Sequence, residues 1–106
     1  MRKKNLKKPF FSIITVVKND QSNIQKTIKS IISQSYKNFE YILIDGKSED
    51  NTLEKIKVYK KKISHILSER DDGIYFAMNK GIKLAKGKVL LFVNSGDIIK
   101  KNALSI

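Results

Sequence analysis

The sequence predicts an α/β domain, a Rossmann-like, mostly parallel sheet flanked by helices. Four apolar runs rich in β-branched residues alternate with segments that repeat apolar residues at helical spacing. The connections between them are short. Strand runs alternating with helices give parallel sheets joined by right-handed crossovers.

Pro9 marks the start of the folded part, so residues 1–8 read as a basic leader and residues 9–106 as one domain. Residues 10–17 are almost continuously apolar, as in strands covered on both faces. Lys18, Asn19, Asp20 and Gln21 form the turn after them. Ser22, with Gln25 three positions on, matches a capping box. Ile24, Ile28, Ile31 and Ile32 then fall on one helical face, and Ser33, Gln34 and Ser35 end the helix. Residues 39–44 form a second strand that stops on Asp45 and Gly46. Ser48, Asp50 and Thr52 are N-cap candidates for a second helix. Its inner face would hold Leu53, Ile56, Tyr59 and Ile63, with its lysines in water. Residues 63–67 read as a short third strand and residues 68–73 as a polar loop. Ile74, Met78, Ile82 and Ala85 recur as the inner face of a third helix, which Gly87 closes. Gly81 inside it costs roughly 1 kcal/mol against alanine, which predicts close packing there. Residues 88–93 form a fourth strand, buried by its composition.

With 106 residues the chain holds one domain and a real core. No apolar run approaches the roughly 20 residues that span a bilayer. The basic start is followed by an apolar run, residues 10–17, but that run contains Ser12 and Thr15 and meets Lys18, Asn19 and Asp20 with no small-residue cleavage site, so no signal peptide is expected. Cysteine is absent, which excludes disulfides, thiolate metal sites and thiol catalysis. A cytoplasmic location fits these facts. The net charge of +12 raises the question of a polyanion partner. The lysines are scattered, however, and no aromatic residues interleave with them as a base-stacking platform requires. Nucleic acid is therefore disfavoured, and peripheral contact with the inner face of a membrane stays open.

In a parallel sheet, ligands bind outside the carboxyl ends of the strands. That rule gathers Lys18 to Asp20, Asp45, Glu69 to Asp72 and Asn94 to Asp97 at one edge. Each carboxylate has a bland alternative. Asp45 could accept a hydrogen bond from a base or ribose, or belong to an Asp-Gly turn. Asp71 and Asp72 could bind ligand or cap the third helix. Asp97 could hold a hard divalent cation or cap a short terminal helix. His65 sits in an apolar segment and reads as structural. Neither GxGxxG nor GxxxxGK[ST] occurs.

Five blocks of the chain, residues 12–19, 27–36, 41–52, 68–81 and 91–97, resemble in order the N-terminal half of family 2 glycosyltransferases. The resemblance implies a GT-A fold, whose Rossmann-like half binds a nucleotide sugar with a divalent metal, Mg or Mn. It implies that Val16, Val17 and Lys18 line the nucleobase and that Asp45 reads the base, usually uracil. Asp71 would lie near the nucleotide and sugar. Asn94, Ser95, Gly96 and Asp97 align with the family's DxD region. Asn94 and Gly96 stand where aspartates are usual, so Asp97 alone is assigned the metal, and Asn94 is a ribose contact. The implied reaction is inverting transfer from a UDP-sugar to a saccharide or lipid-linked acceptor in bacterial surface glycan synthesis. The family carries its catalytic base and acceptor surface after the DxD region, so the base is expected beyond the C-terminus and the chain looks truncated. The rival expectations are a non-catalytic remnant that binds nucleotide or needs a partner chain, and a basic polyanion-binding module.

Overall fold

The computed structural model describes residues 8–104. Residues 1–7 of the expected leader lie outside the described residues. Four strands, β1 (Phe11–Val17), β2 (Phe39–Asp45), β3 (His65–Ser68) and β4 (Val89–Phe92), form one sheet in the order β3-β2-β1-β4. All three pairings are parallel. Three α-helices, α1 (Ile24–Ile32), α2 (Thr52–Lys57) and α3 (Ile74–Leu84), connect the strands.

The layering follows from handedness. The chain steps from β1 to β2 to β3 in one direction, then returns across the sheet to β4. Right-handed crossovers therefore place α1 and α2 on one face and α3 on the other. The core divides accordingly. Phe11, Ile13, Val17, Tyr41 and Leu43 pack with Ile24, Ile28, Ile31 and Ile56 of α1 and α2. Ile14, Val16, Ile42 and Ile44 pack with Ala77 of α3. Every residue of β1 is buried, as its continuous apolarity predicts.

Several local expectations change. Ser22 and Gln25 do not form a capping box: α1 starts after Asn23, without a side-chain cap. The main-chain oxygen of Asp20 accepts from the Asn23 and Ile24 amides instead, at 3.2 and 3.0 Å. Gln25 reaches across to donate to the Lys55 carbonyl at 3.2 Å, tying α1 to α2. The second helix stops at Lys57, and Lys60–Lys62 form a separate 3-10 turn, so Tyr59 and Ile63 do not extend its face.

The face of α3 is turned from the expected one. Ala77 and Gly81 are its buried residues, while Ile74 and Ile82 are 60% and 42% exposed. Close approach decides this. A Cβ at Gly81 would stand 2.6 Å from Cγ2 of Ile14, so the helix rests on its smallest residues and the isoleucines move outward. β4 is not buried either. Among the described residues it pairs with β1 alone, at the edge of the sheet, and Val89 and Leu90 are partly in water. The turn into β4 is fixed by Glu40, a buried carboxylate whose Oε2 accepts from Ser12 Oγ and the Lys86 amide, both at 2.6 Å. Among the described residues no helix is long and apolar enough to cross a membrane.

Candidate functional site

Side-chain and main-chain hydrogen bonds join the loops at the carboxyl ends of β1 and β2. The turn after β1 carries Asn19 in the left-handed region (φ 51°). Its amide donates to Ser48 Oγ at 2.8 Å, and its side-chain oxygen accepts from the Glu49 amide at 2.7 Å. Asp20 donates its amide to Thr52 Oγ1 at 2.8 Å. Asp50 accepts from both the amide and the hydroxyl of Thr52. The hydroxyl bond leads in holding the Asp50 carboxyl below its ordinary pKa, because it favours the charged form. The loops after β1 and β2 are thus laced into one rigid rim.

Asp45 sits at the end of β2 with no exposed surface. Its Oδ2 accepts from the Ser48 amide at 2.9 Å and Ser68 Oγ at 2.8 Å, and its Oδ1 from Ser48 Oγ at 2.5 Å. The carboxylate therefore clamps the end of β3 and the turn at residues 46–48, where Lys47 has φ 62°. It faces inward and does not line the cleft beside it.

That cleft has a volume of about 230 Å³ and is lined by Val16, Val17, Lys18, Gly46, Asp71, Gly73, Ile74 and Ala77. β1 supplies one wall and α3 with its approach loop supplies the other. Lys80 holds that loop, donating to the Arg70 carbonyl at 2.8 Å and pairing with Glu69 at 3.2 Å. Within the loop, Asp71 Oδ1 accepts from the Gly73 amide at 3.3 Å. Asp71 Oδ2 is buried and has no hydrogen-bond partner among the described residues. It lies over Gly46, where an added Cβ would come within 3.3 Å of it. An ionised carboxylate only accepts, so this atom is a vacant acceptor facing Gly46 in the cleft lining.

Asn94 to Asp97 lie elsewhere. β4 flanks β1 on the side away from β2, and the turn that follows it is held against α1. Ser95 Oγ donates to Asp20 Oδ2, and Thr27 Oγ1 accepts from the Gly96 amide and donates to the Asp97 carbonyl, all at 2.8 Å. Gly96 has φ 101°, which a side chain would strain. Asp97 engages through its main chain, and its exposed side chain is left to solvent. Asn94 is also exposed. Neither lines the cleft. No group of three or more metal-ligating side chains exists among the described residues.

Of the residues expected from sequence, the fold brings Val16, Val17, Lys18 and Asp71 together. Asp45 is behind the wall and Asn94 and Asp97 are beyond β1. Gly46, Gly73, Ile74 and Ala77 were not expected in the lining. For Gly46 the signal was present: a glycine directly after a strand-end aspartate leaves backbone surface for a ligand, not only a turn.

A sheet of this order with helices on both faces makes the chain an α/β domain of the GT-A glycosyltransferase fold. It superposes on S. aureus TarS 1–349 in complex with UDP-GlcNAc with a TM-score of 0.82 at 29% identity, covering 89% of this chain and 28% of that one. The mannosyltransferase PcManGT from Pyrobaculum calidifontis, solved with GDP-Man and Mn²⁺, has a TM-score of 0.78 at 18% identity, a likeness of fold alone; 88% of this chain and 29% of that one are covered. Residues 12–106 match the family described as Glycosyl transferase family 2, and the chain belongs to that family. Its relatives include an uncharacterised glycosyltransferase of Mycobacterium tuberculosis, 39% identical over 84% of this chain and 34% of that one. Another is a Bacillus subtilis protein named for teichuronic acid biosynthesis, TuaG, 33% identical over 92% of this chain and 40% of that one. The chain thus spans about a third of the length of the curated relatives it matches.

Proposed function

We propose that the chain is the donor-binding part of a glycosyltransferase that takes a nucleoside diphosphate sugar, with a UDP-sugar as the first candidate. The observation that carries this reading is the cleft, which gathers Val16, Val17, Lys18 and Asp71 at the carboxyl edge of the two central strands. Its volume is below the ~300–1,000 Å³ of a whole small-molecule site, and suits a flat base better than an entire nucleotide sugar. The structures of TarS with UDP-GlcNAc and with UDP support the choice of uridine.

In the proposed reaction an acceptor hydroxyl oxygen attacks the anomeric carbon of the sugar. A glycosidic C–O bond forms as the bond to the diphosphate oxygen breaks, with inversion, and the hydroxyl proton passes to a base. The leaving diphosphate carries away the electron pair. Lys18, in the lining of the cleft, offers a cation for that charge. Asp97 fits a divalent cation of the Mg or Mn kind, because such ions are held by one or two carboxylates together with substrate phosphates. A bound cation would neutralise the departing diphosphate. The acceptor, a saccharide or lipid-linked saccharide, belongs to the same proposal. A second reading is nucleotide binding without transfer.

Calorimetric titration with UDP in the presence of Mn²⁺ or Mg²⁺ tests the donor site. Binding is expected, and its absence in folded protein overturns the reading. Asp97→Asn is expected to remove most of the metal dependence; an undiminished dependence rejects the metal role. Transfer of sugar from a UDP-sugar donor separates the two readings.

A further inference from the structure

The buried side of α1 is not uniformly apolar. Thr27 lies among Ile24, Ile28 and Ile31, and all four are fully buried. A β-branched hydroxyl residue is a poor helix former, and a buried hydroxyl has to find partners. Thr27 Oγ1 finds both in one place: it accepts from the Gly96 amide and donates to the Asp97 carbonyl, each at 2.8 Å. We propose that Thr27 is a positioning residue for Asp97, its hydroxyl fixing the main chain from which that carboxylate reaches a divalent cation. This rests on the metal role given to Asp97 above.

The local geometry shows why one hydroxyl matters. Residues 94–97 form a tight turn, closed by the Asp97 amide donating to the Asn94 carbonyl at 2.9 Å. Gly96 is the third residue of that turn, and its φ of 101° is the conformation for which type II turns favour glycine. A turn closed on itself can still tilt as a unit against the sheet. Thr27 removes that freedom by holding two successive residues of it. Asp20 holds a third, since its Oδ2 accepts from Ser95 Oγ at 2.8 Å, and the Asp20 amide is itself anchored on Thr52 Oγ1. The Asp97 side chain is exposed, so packing does not place it, and its main chain sets where its oxygens can reach. Ions of the Mg kind tolerate little misplacement of their ligands. Removing a group that orients a metal ligand typically lowers metal affinity by about 10–100-fold. Ser30, and Gln34 just past the helix, grip later main chain. Ser30 Oγ accepts from the Ile99 amide at 3.2 Å, and Gln34 Nε2 donates to the Lys100 carbonyl at 2.6 Å. They dock the segment after the turn without bonding the turn, which separates docking from positioning.

The test is the ratio of UDP affinities with and without Mn²⁺, measured by calorimetric titration of wild type and of variants shown to be folded by circular dichroism. Thr27→Val keeps the shape and loses the hydroxyl, and its ratio is expected to fall by about tenfold. Thr27→Ser keeps the hydroxyl and is expected to retain most of the ratio. Ser30→Ala is expected to lower the melting temperature and leave the ratio unchanged. Ser95→Ala releases the turn from Asp20 and is expected to lower the ratio, which keeps the test open where Thr27→Val does not fold. An unchanged ratio in folded Thr27→Val, or in Ser95→Ala where Thr27→Val does not fold, overturns the positioning role. A loss as large in Thr27→Ser or Ser30→Ala overturns it too, because the hydroxyl or its place would then not matter. Absence of UDP binding by folded wild type overturns the donor-site reading. Binding of UDP that is indifferent to Mn²⁺ overturns the metal role of Asp97, and either result overturns this inference with it.

Discussion

At the scale of single residues, the number of hydrogen bonds an oxygen already accepts separates supporting carboxylates from available ones. Asp45 is fully committed, since its three bonds join the end of β2 to the end of β3 and to the turn at residues 46–48. Asp45→Ala strips the Ser48 amide and two hydroxyls of their acceptor. Each group left buried without a partner costs about 1–3 kcal/mol. Solvent reaching the vacated space will reduce the sum, so a loss of about 2–4 kcal/mol is expected from urea denaturation. A loss below about 0.5 kcal/mol, typical of surface positions, would contradict the clamp. The sequence placed Asp45 at a strand end correctly. It did not reveal that Ser68, on another strand, would consume one of its oxygens. Strand-end position is a local property, whereas satisfaction depends on contacts across 23 residues of chain.

At the scale of elements, α3 shows what periodicity can and cannot determine. Its extent, residues 74–84, follows the apolar repeat closely. Its rotation does not, because the repeat spans a face wide enough for several orientations. Gly81 chooses among them by allowing contact with Ile14. Gly81→Ala therefore sets two effects against each other. Alanine raises helix propensity by roughly 1 kcal/mol. The new Cβ would lie 2.6 Å from Ile14 Cγ2, and overpacking of this kind typically costs about 1–3 kcal/mol. Ile14 is a β-branched residue in a fully buried strand and has little room to yield. The overpacking is expected to win, giving net destabilisation of about 1 kcal/mol by denaturant melts, and stabilisation would show that α3 does not rest on this glycine. The same limit applies to β4. Its apolar residues read as buried because composition does not distinguish a central strand from an edge strand.

At the scale of the whole molecule, the parallel sheet and its layers were readable because they follow from short connections and crossover handedness, which depend little on side-chain detail. The pairing of polar groups inside those layers was not readable. Tyr41 is the clearest case. It lies in the α1 and α2 layer, 1% exposed, and its hydroxyl bonds Thr15 Oγ1 at 2.9 Å. Burial pushes its pKa far above the ordinary value of 10, against a smaller opposing effect of the Thr15 bond. The folded state thus keeps its proton at pH values where the unfolded chain releases it. Stability from this group is complete below pH 10 and declines as pH rises above it, since the native state then binds more protons than the unfolded state. Lysines titrate in the same range and lower the charge of +12, so the wild-type profile alone does not isolate the effect. Tyr41→Phe does. At neutral pH it leaves Thr15 without its partner and is expected to cost about 1–2 kcal/mol. Between pH 10 and 11.5 the wild type should lose stability more steeply, and the gap between the two proteins should narrow. A gap that stays constant across this range, measured by urea denaturation at each pH, would show that Tyr41 does not titrate differently on unfolding.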